Sequence, residues 1–255
     1  MSEFSDAEEL KYVLSKSLYV YNKDGSINND RLNDLIKSFN IKKSILLSNN
    51  FIDKNGRLTT KGLLLKHLNG YEQIPLINTI SDGILSDLNP TQIVGIIGGL
   101  ANIEYNTKGE FPEKPFELRT QGDSQLAEIA DIVYENVKDY GKMFEQLHPQ
   151  REIKLSPKPI DHLYKWADLN SKHSNSHRNW HEIFTGDLRF SIKDEGSLFK
   201  VITMTVDLLK QLIEATKAGA KYADSTTEKT YYNTLETKLK DALSLVQKEP
   251  IQERH

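Results

Sequence analysis

Asp194-Glu195-Gly196-Ser197-Leu198-Phe199-Lys200 heads an amphipathic run that continues to about Lys217. Leu198, Val201, Ile202, Leu208, Leu209, Leu212 and Ile213 recur at helical spacing, so one face is apolar. Lys200, Thr203, Asp207, Lys210, Glu214 and Lys217 follow i, i+3, i+7 on the other face. Asp194 and Glu195 precede a helix that begins near Ser197, where negative charge complements the helix dipole; they read as a cap, not an acid–base pair. A second helix over 227–247 should pair antiparallel with the first across the short Gly219–Thr226 connection.

Upstream, Asn89-Pro90 is a strong helix start, with Asn as N-cap and Pro in the first turn before Ile93, Val94, Ile96, Ile97 and Leu100. Gly95, Gly98 and Gly99 weaken that helix, so their use is close packing against a neighbour. Residues 123–147 form a long helix with Leu126, Ile129, Ile132, Val133, Val137, Tyr140 and Phe144 on its apolar side. Ile160 to Leu169 forms another, carrying Trp166. Residues 106–122 and 149–159 read as loops, and 170–194 as a solvated loop anchored by Trp180 and Phe184.

Residues 6–18 read as a helix, Asn29 or Asp30 caps a second, and Ile45-Leu46-Leu47 begins a short third. Asp53-Lys54-Asn55-Gly56 is a tight turn before a short strand at Arg57-Leu58-Thr59. Helices followed by such an element read either as a winged-helix fragment or as a helical cap. Thr60 to Leu68 and Ile74 to Ile84 are further helices, and no repeat of 20–50 residues is apparent.

Composition excludes several function classes. Of 255 residues, 38% are hydrophobic and 27% charged, which suits a globular core. No apolar run is long enough for a membrane span, and the acidic start Met1-Ser2-Glu3 lacks a signal-peptide pattern. The absence of cysteine excludes disulfides, thiolate metal sites and Cys nucleophiles, and is compatible with an intracellular setting, cytoplasmic or nuclear. A net charge of -3 requires any nucleic-acid contact to come from a local basic strip. Gly95-Ile96-Ile97-Gly98-Gly99 lies mid-helix, where it cannot cradle phosphate, and no nucleotide-binding loop or Ser-nucleophile elbow is present. No catalytic residue and no cofactor is therefore expected of this chain alone.

His173, His177 and His181 stand at i, i+4, i+8 and would line one face of a helix. Ser174, Asn175, Ser176 and Asn179 between them are poor helix formers, and the ligand set is incomplete. No metal site is expected.

Five motifs in order resemble one family. They are Leu58-Thr59-Thr60-Lys61-Gly62, Leu88-Asn89-Pro90, Tyr164-Lys165-Trp166, Glu195-Gly196-Ser197-Leu198-Phe199-Lys200 running on through Asp207-Leu208-Leu209-Lys210-Gln211-Leu212, and the closing helix at 227–247. Together they resemble the C-terminal helical domain, called DSHCT, of superkiller-like superfamily 2 DExH-box RNA helicases.

The resemblance implies an all-α helical bundle over 58–248, after a small helical or winged-helix-like element at 1–57 and before a frayed tail at 249–255. It implies a lid over a helicase core, with the penultimate helix acting as a ratchet-like strut beside the exiting RNA strand. The strand-contacting sites carried over are Lys200, Thr203 and Met204, and Lys210 lies on the same polar face. Lys200 keeps the charge, whereas Thr203 and Met204 stand where the family usually has basic residues. Implied partners are single-stranded RNA, a DExH helicase core in cis or in trans, and other proteins of an RNA-processing assembly, with no membrane. The alternative is a stand-alone protein–protein scaffold derived from that domain, which no longer touches a strand.

Overall fold

The computed structural model describes residues 7–111, 115–119, 123–185 and 195–248. The chain divides into two units, Met1–Leu63 and Leu64–His255. Asp194, the tail 249–255 and the side chains of Phe184 and Glu195 lie outside what is described.

In the first unit, α1 (Ala7–Leu14) and a 3-10 turn (Leu18–Val20) lead to a hairpin bridged at Tyr21 and Ile27. Then come α2 (Asn29–Ser48), a second hairpin bridged at Ile52 and Leu58, and α3 (Thr60–Leu64). The two hairpins repeat one bonding pattern. Asn22 N–H donates to the Ser26 carbonyl, Gly25 N–H to Asn22 and Asn28 N–H to Val20; Asp53 to Arg57, Gly56 to Asp53 and Thr59 to Phe51 match them one for one. Gly25 and Gly56 both take positive φ, 82° and 77°, in the turns. Asn28 and Thr59 then cap the following helices, accepting from Arg31 N–H at 3.1 Å and Gly62 N–H at 3.0 Å. This internal repeat corrects the sequence reading, which saw none. Only Lys23 and Lys54, Gly25 and Gly56, and Leu32 and Leu63 are identical between 20–32 and 51–63, because the shared geometry constrains so few side chains.

Two other expectations change here. Asn28, not Asn29 or Asp30, is the N-cap, and α2 runs unbroken to Ser48 instead of restarting at Ile45. No glycine or proline interrupts Asn29–Ser48, so the helix has no cause to break. Gly62 closes the second hairpin: a Cβ there would sit 2.0 Å from the Phe51 carbonyl oxygen.

The second unit is built around α5 (Pro90–Ala101), whose residues are buried from Gln92 onward. Asn89 and Gln92 form a reciprocal capping box at its start, with bonds of 3.0 and 2.9 Å. Against α5 pack α7 (Pro157–Lys172), α9 (Glu195–Tyr222) and α10 (Thr226–Val246). The helix glycines have the purpose expected of them. A Cβ on Gly98 would lie 2.8 Å from Leu163 Cγ, and one on Gly99 2.5 Å from Ile160 Cγ1, so α7 approaches only because both are absent.

Outside this layer lie α4 (Gln73–Ser81), α6 (Ser124–Leu147) and a two-stranded antiparallel sheet, β1 (Glu104–Thr107) with β2 (Arg151–Lys154). Tyr105 pairs with Ile153 in its register. β2 falls inside the loop expected at 149–159, and β1 overlaps the start of the one expected at 106–122. A further helix, α8 (Ser176–Thr185), replaces the expected loop. Burial of Trp180 and Ile183 stabilises it, and Trp180 meets Trp166 edge-on at 5.8 Å. Asn170 ties three elements together: it donates to the Leu245 carbonyl at 2.9 Å, accepts from Asn179 at 2.8 Å, and its own carbonyl receives Lys248. The class is all-α, as the sequence pattern predicts.

Candidate nucleic-acid interface

Helix α9 buries Leu198, Ile202, Leu208, Leu209, Leu212 and Ile213. Two threonines enter that face, Thr205 and Thr216, each fully buried and satisfied by the carbonyls of Val201 at 2.8 Å and Ile213 at 2.9 Å. The connection to α10 is shorter than expected, because α9 continues to Tyr222. Gly219 is therefore a helical residue, and a Cβ there would lie 2.8 Å from the Tyr232 ring.

Lys200, Thr203, Asp207, Lys210, Glu214, Lys217 and Lys221 form one continuous row on the opposite face, exposed along most of its length. At 1.5 Å rise per residue it runs for about 30 Å. Its charges are unequal in availability. Glu214 pairs with Lys217 at 2.5 Å. Asp207 Oδ2 accepts from Gln211 Nε2 at 2.9 Å and from the Tyr71 hydroxyl at 2.9 Å. Partial burial, then the bond to Asp207, push the Tyr71 hydroxyl above its ordinary pKa. Among the described residues, Lys200 and Lys210 have no ion-pair partner.

The remaining expected site residues differ. Thr203 is exposed, but its hydroxyl donates back to the Phe199 carbonyl at 2.9 Å. Met204 sits half-buried beside the row, its carbonyl oxygen 2.9 Å from the Tyr71 hydroxyl. Sequence reasoning missed Asn69, Tyr71 and Gln211, which fix the middle of α9 to the turn before α4; their pairing spans most of the unit and leaves no local signal.

His173, His177 and His181 do not share a helix. His173 is the C-cap of α7, while His177 and His181 lie on α8. Glu182 of α8 faces Lys165 at 3.7 Å. Among the described residues no group of three or more His, Cys, Asp or Glu is placed to hold a metal. A cleft of about 270 Å³ between α6 and β2 is lined by Val137, Ile153 and Leu155. Two of its lysines, Lys138 and Lys142, are paired with Glu135 and Asp139.

The fold and the row thus define a helical module that presents the exposed polar face of one long helix. Residues 55–253 match the DSHCT (NUC185) domain. The chain belongs to that family, the C-terminal domain of Ski2-like DExH helicases, and is a helicase accessory domain. No curated protein matches it. Among the described residues no helix is long and apolar enough to cross a membrane.

Proposed function

We propose that this domain guides a single RNA strand along the exposed row of α9, beside a DExH core that supplies ATP hydrolysis. The observation that carries this reading is the state of the charges. Lys200 and Lys210 are exposed and have no ion-pair partner among the described residues, whereas Asp207 and Glu214 are already engaged by Tyr71, Gln211 and Lys217. Phosphate contact requires cations that are not neutralised in place. Lys200 and Lys210, on one face and about 15 Å apart along the helix, meet that requirement.

The second reading, a protein-docking module of an RNA-processing assembly, is favoured by Thr203 and Met204, which put no charge where the family usually carries it. A salt series separates the two. Strand guiding expects affinity for oligouridylate to fall steeply with salt, and Lys200→Glu with Lys210→Glu to remove most of it. Affinity untouched by those substitutions removes the strand-guiding role of α9 and leaves protein docking.

A further inference from the structure

Tyr222 ends α9 with 38% of its surface open. Two ammonium groups lie over its ring: Lys221 Nζ at 5.3 Å from the centroid and Lys66 Nζ at 5.5 Å. Lys66 belongs to the 3-10 turn Leu65–His67, which packs against α9. Both lysines are exposed, and neither has an ion-pair partner among the described residues.

Each ammonium is drawn to the ring's electron-rich face. Both charges stand beside the same ring, so an anion brought to it is attracted by both. The ring offers a second interaction, since any nucleobase stacks on an aromatic face. A base with its neighbouring phosphate satisfies both demands at once; an acidic peptide satisfies only the first. Lys221 is also the last member of the row that begins at Lys200, so a strand following the row ends on this ring.

We propose that Tyr222, Lys66 and Lys221 form a nucleotide subsite at the C-terminal end of α9, with the base on the Tyr222 ring and the phosphate between the two ammonium groups. The arriving base displaces one ammonium from the ring face, and that ammonium moves to the phosphate. This subsite rests on the reading of α9 as a strand guide.

The test uses the full chain with a labelled oligouridylate, an abasic phosphodiester of equal length, and polyglutamate as competitor. Wild type should prefer oligouridylate to the abasic strand. Tyr222→Ala should lower oligouridylate affinity roughly tenfold and leave the abasic strand unchanged, while Tyr222→Phe keeps the preference. Lys66→Ala with Lys221→Ala should reduce the slope of log affinity against log salt by about 0.7, one phosphate contact on a single strand. Tyr222→Leu, which keeps the bulk, should behave like Tyr222→Ala and so separates stacking from loss of fold.

Equal affinity for both strands, or a Tyr222→Ala variant indistinguishable from wild type, overturns the subsite. The α9 reading survives that result if Lys200→Glu still weakens binding. Failure of wild type to bind either strand overturns both. Polyglutamate that displaces oligouridylate as well as the unlabelled strand does overturns the subsite too, and assigns the surface to an acidic protein.

Discussion

The side-chain amide of Gln211 closes on the backbone of Asn69 from both sides. Asn69 N–H donates to Gln211 Oε1 at 2.7 Å, and Gln211 Nε2 donates to the Asn69 carbonyl at 3.3 Å. The same Nε2 reaches Asp207 Oδ2, which also accepts from Tyr71 two residues beyond Asn69. One helical turn of α9 is thereby fixed to the turn before α4, directly between Lys200 and Lys217 of the exposed row.

Gln211→Leu keeps the volume and removes the clamp. Water reaches the Asn69 backbone, so the cost is a net hydrogen-bond contribution of about 1 kcal/mol and not a full burial penalty. Urea unfolding should show that loss. Amide exchange should accelerate at Asn69 while the α5 amides keep their protection.

Gly62→Ala should be among the most damaging changes in the first unit. Its Cβ would have to occupy a point 2.0 Å from the Phe51 carbonyl oxygen, and backbone cannot yield as a flexible side chain does. A loss of about 3 kcal/mol is expected, the upper end for overpacking. Gly25→Ala is the control: nothing lies within 4 Å of its Cβ, so only the positive φ of 82° opposes it, and the loss should be smaller. Equal thermal shifts for the two would refute the steric account.

At the α5–α7 contact, Gly98→Ala gains about 1 kcal/mol of helix propensity but loses more to Leu163, whose Cγ would lie 2.8 Å away. Net destabilisation of about 1–2 kcal/mol is expected. In a Leu163→Ala background the Cγ contact is gone but the Cβ of residue 163, 2.9 Å away, remains, so the same change should cost less without becoming stabilising. A double-mutant cycle reads the coupling directly, and additivity within about 0.5 kcal/mol would rule out the contact as the cause.

These contrasts show what was legible in the sequence. The α5 start at Asn89-Pro90, the α6 stripe and the two faces of α9 follow from local periodicity and capping, which act over neighbouring residues. β1 and β2 were not legible, because Glu104-Tyr105-Asn106-Thr107 is too short to show alternation. α8 was hidden by Ser176, Asn179 and the histidines, whose weak propensity is overridden by burial of Trp180 and Ile183 and by the Asn179–Asn170 bond. On α9, the polar face that carries Lys200 and Lys210 could be read from spacing. That Asp207 is occupied could not, since Tyr71 lies far from it along the chain.

His162 makes the second unit acid-sensitive. The ring is 1% exposed, and its Nδ1–H donates to the Lys158 carbonyl at 2.6 Å. Burial lowers its pKa from 6.5 to about 4, outweighing the opposing backbone bond. Between those values the unfolded chain holds the extra proton, so stability rises with pH there and falls as pH drops from about 6.5 towards 4. The loss attributable to this group approaches about 3 kcal/mol and levels off below the folded value. Urea midpoints across that window should slope less for His162→Gln than for wild type; parallel slopes would assign the acid sensitivity to other groups.

Glu214→Gln tests the charge state of the α9 row in the direction opposite to lysine removal. The Lys217 ammonium is hydrogen-bonded to Glu214 and holds its carboxyl below the ordinary value, so at neutral pH the pair is fully ionised and self-neutralised. Converting Glu214 to the amide frees Lys217 within the same row as Lys200 and Lys210. Because both side chains are exposed and solvent screens the pair, the urea midpoint should not move measurably. Affinity for single-stranded RNA should rise, and the salt slope should steepen by up to about 0.7, one additional phosphate contact on a single strand. An unchanged slope alongside intact binding would place the strand away from Lys217, confining it to the Lys200–Lys210 part of the helix.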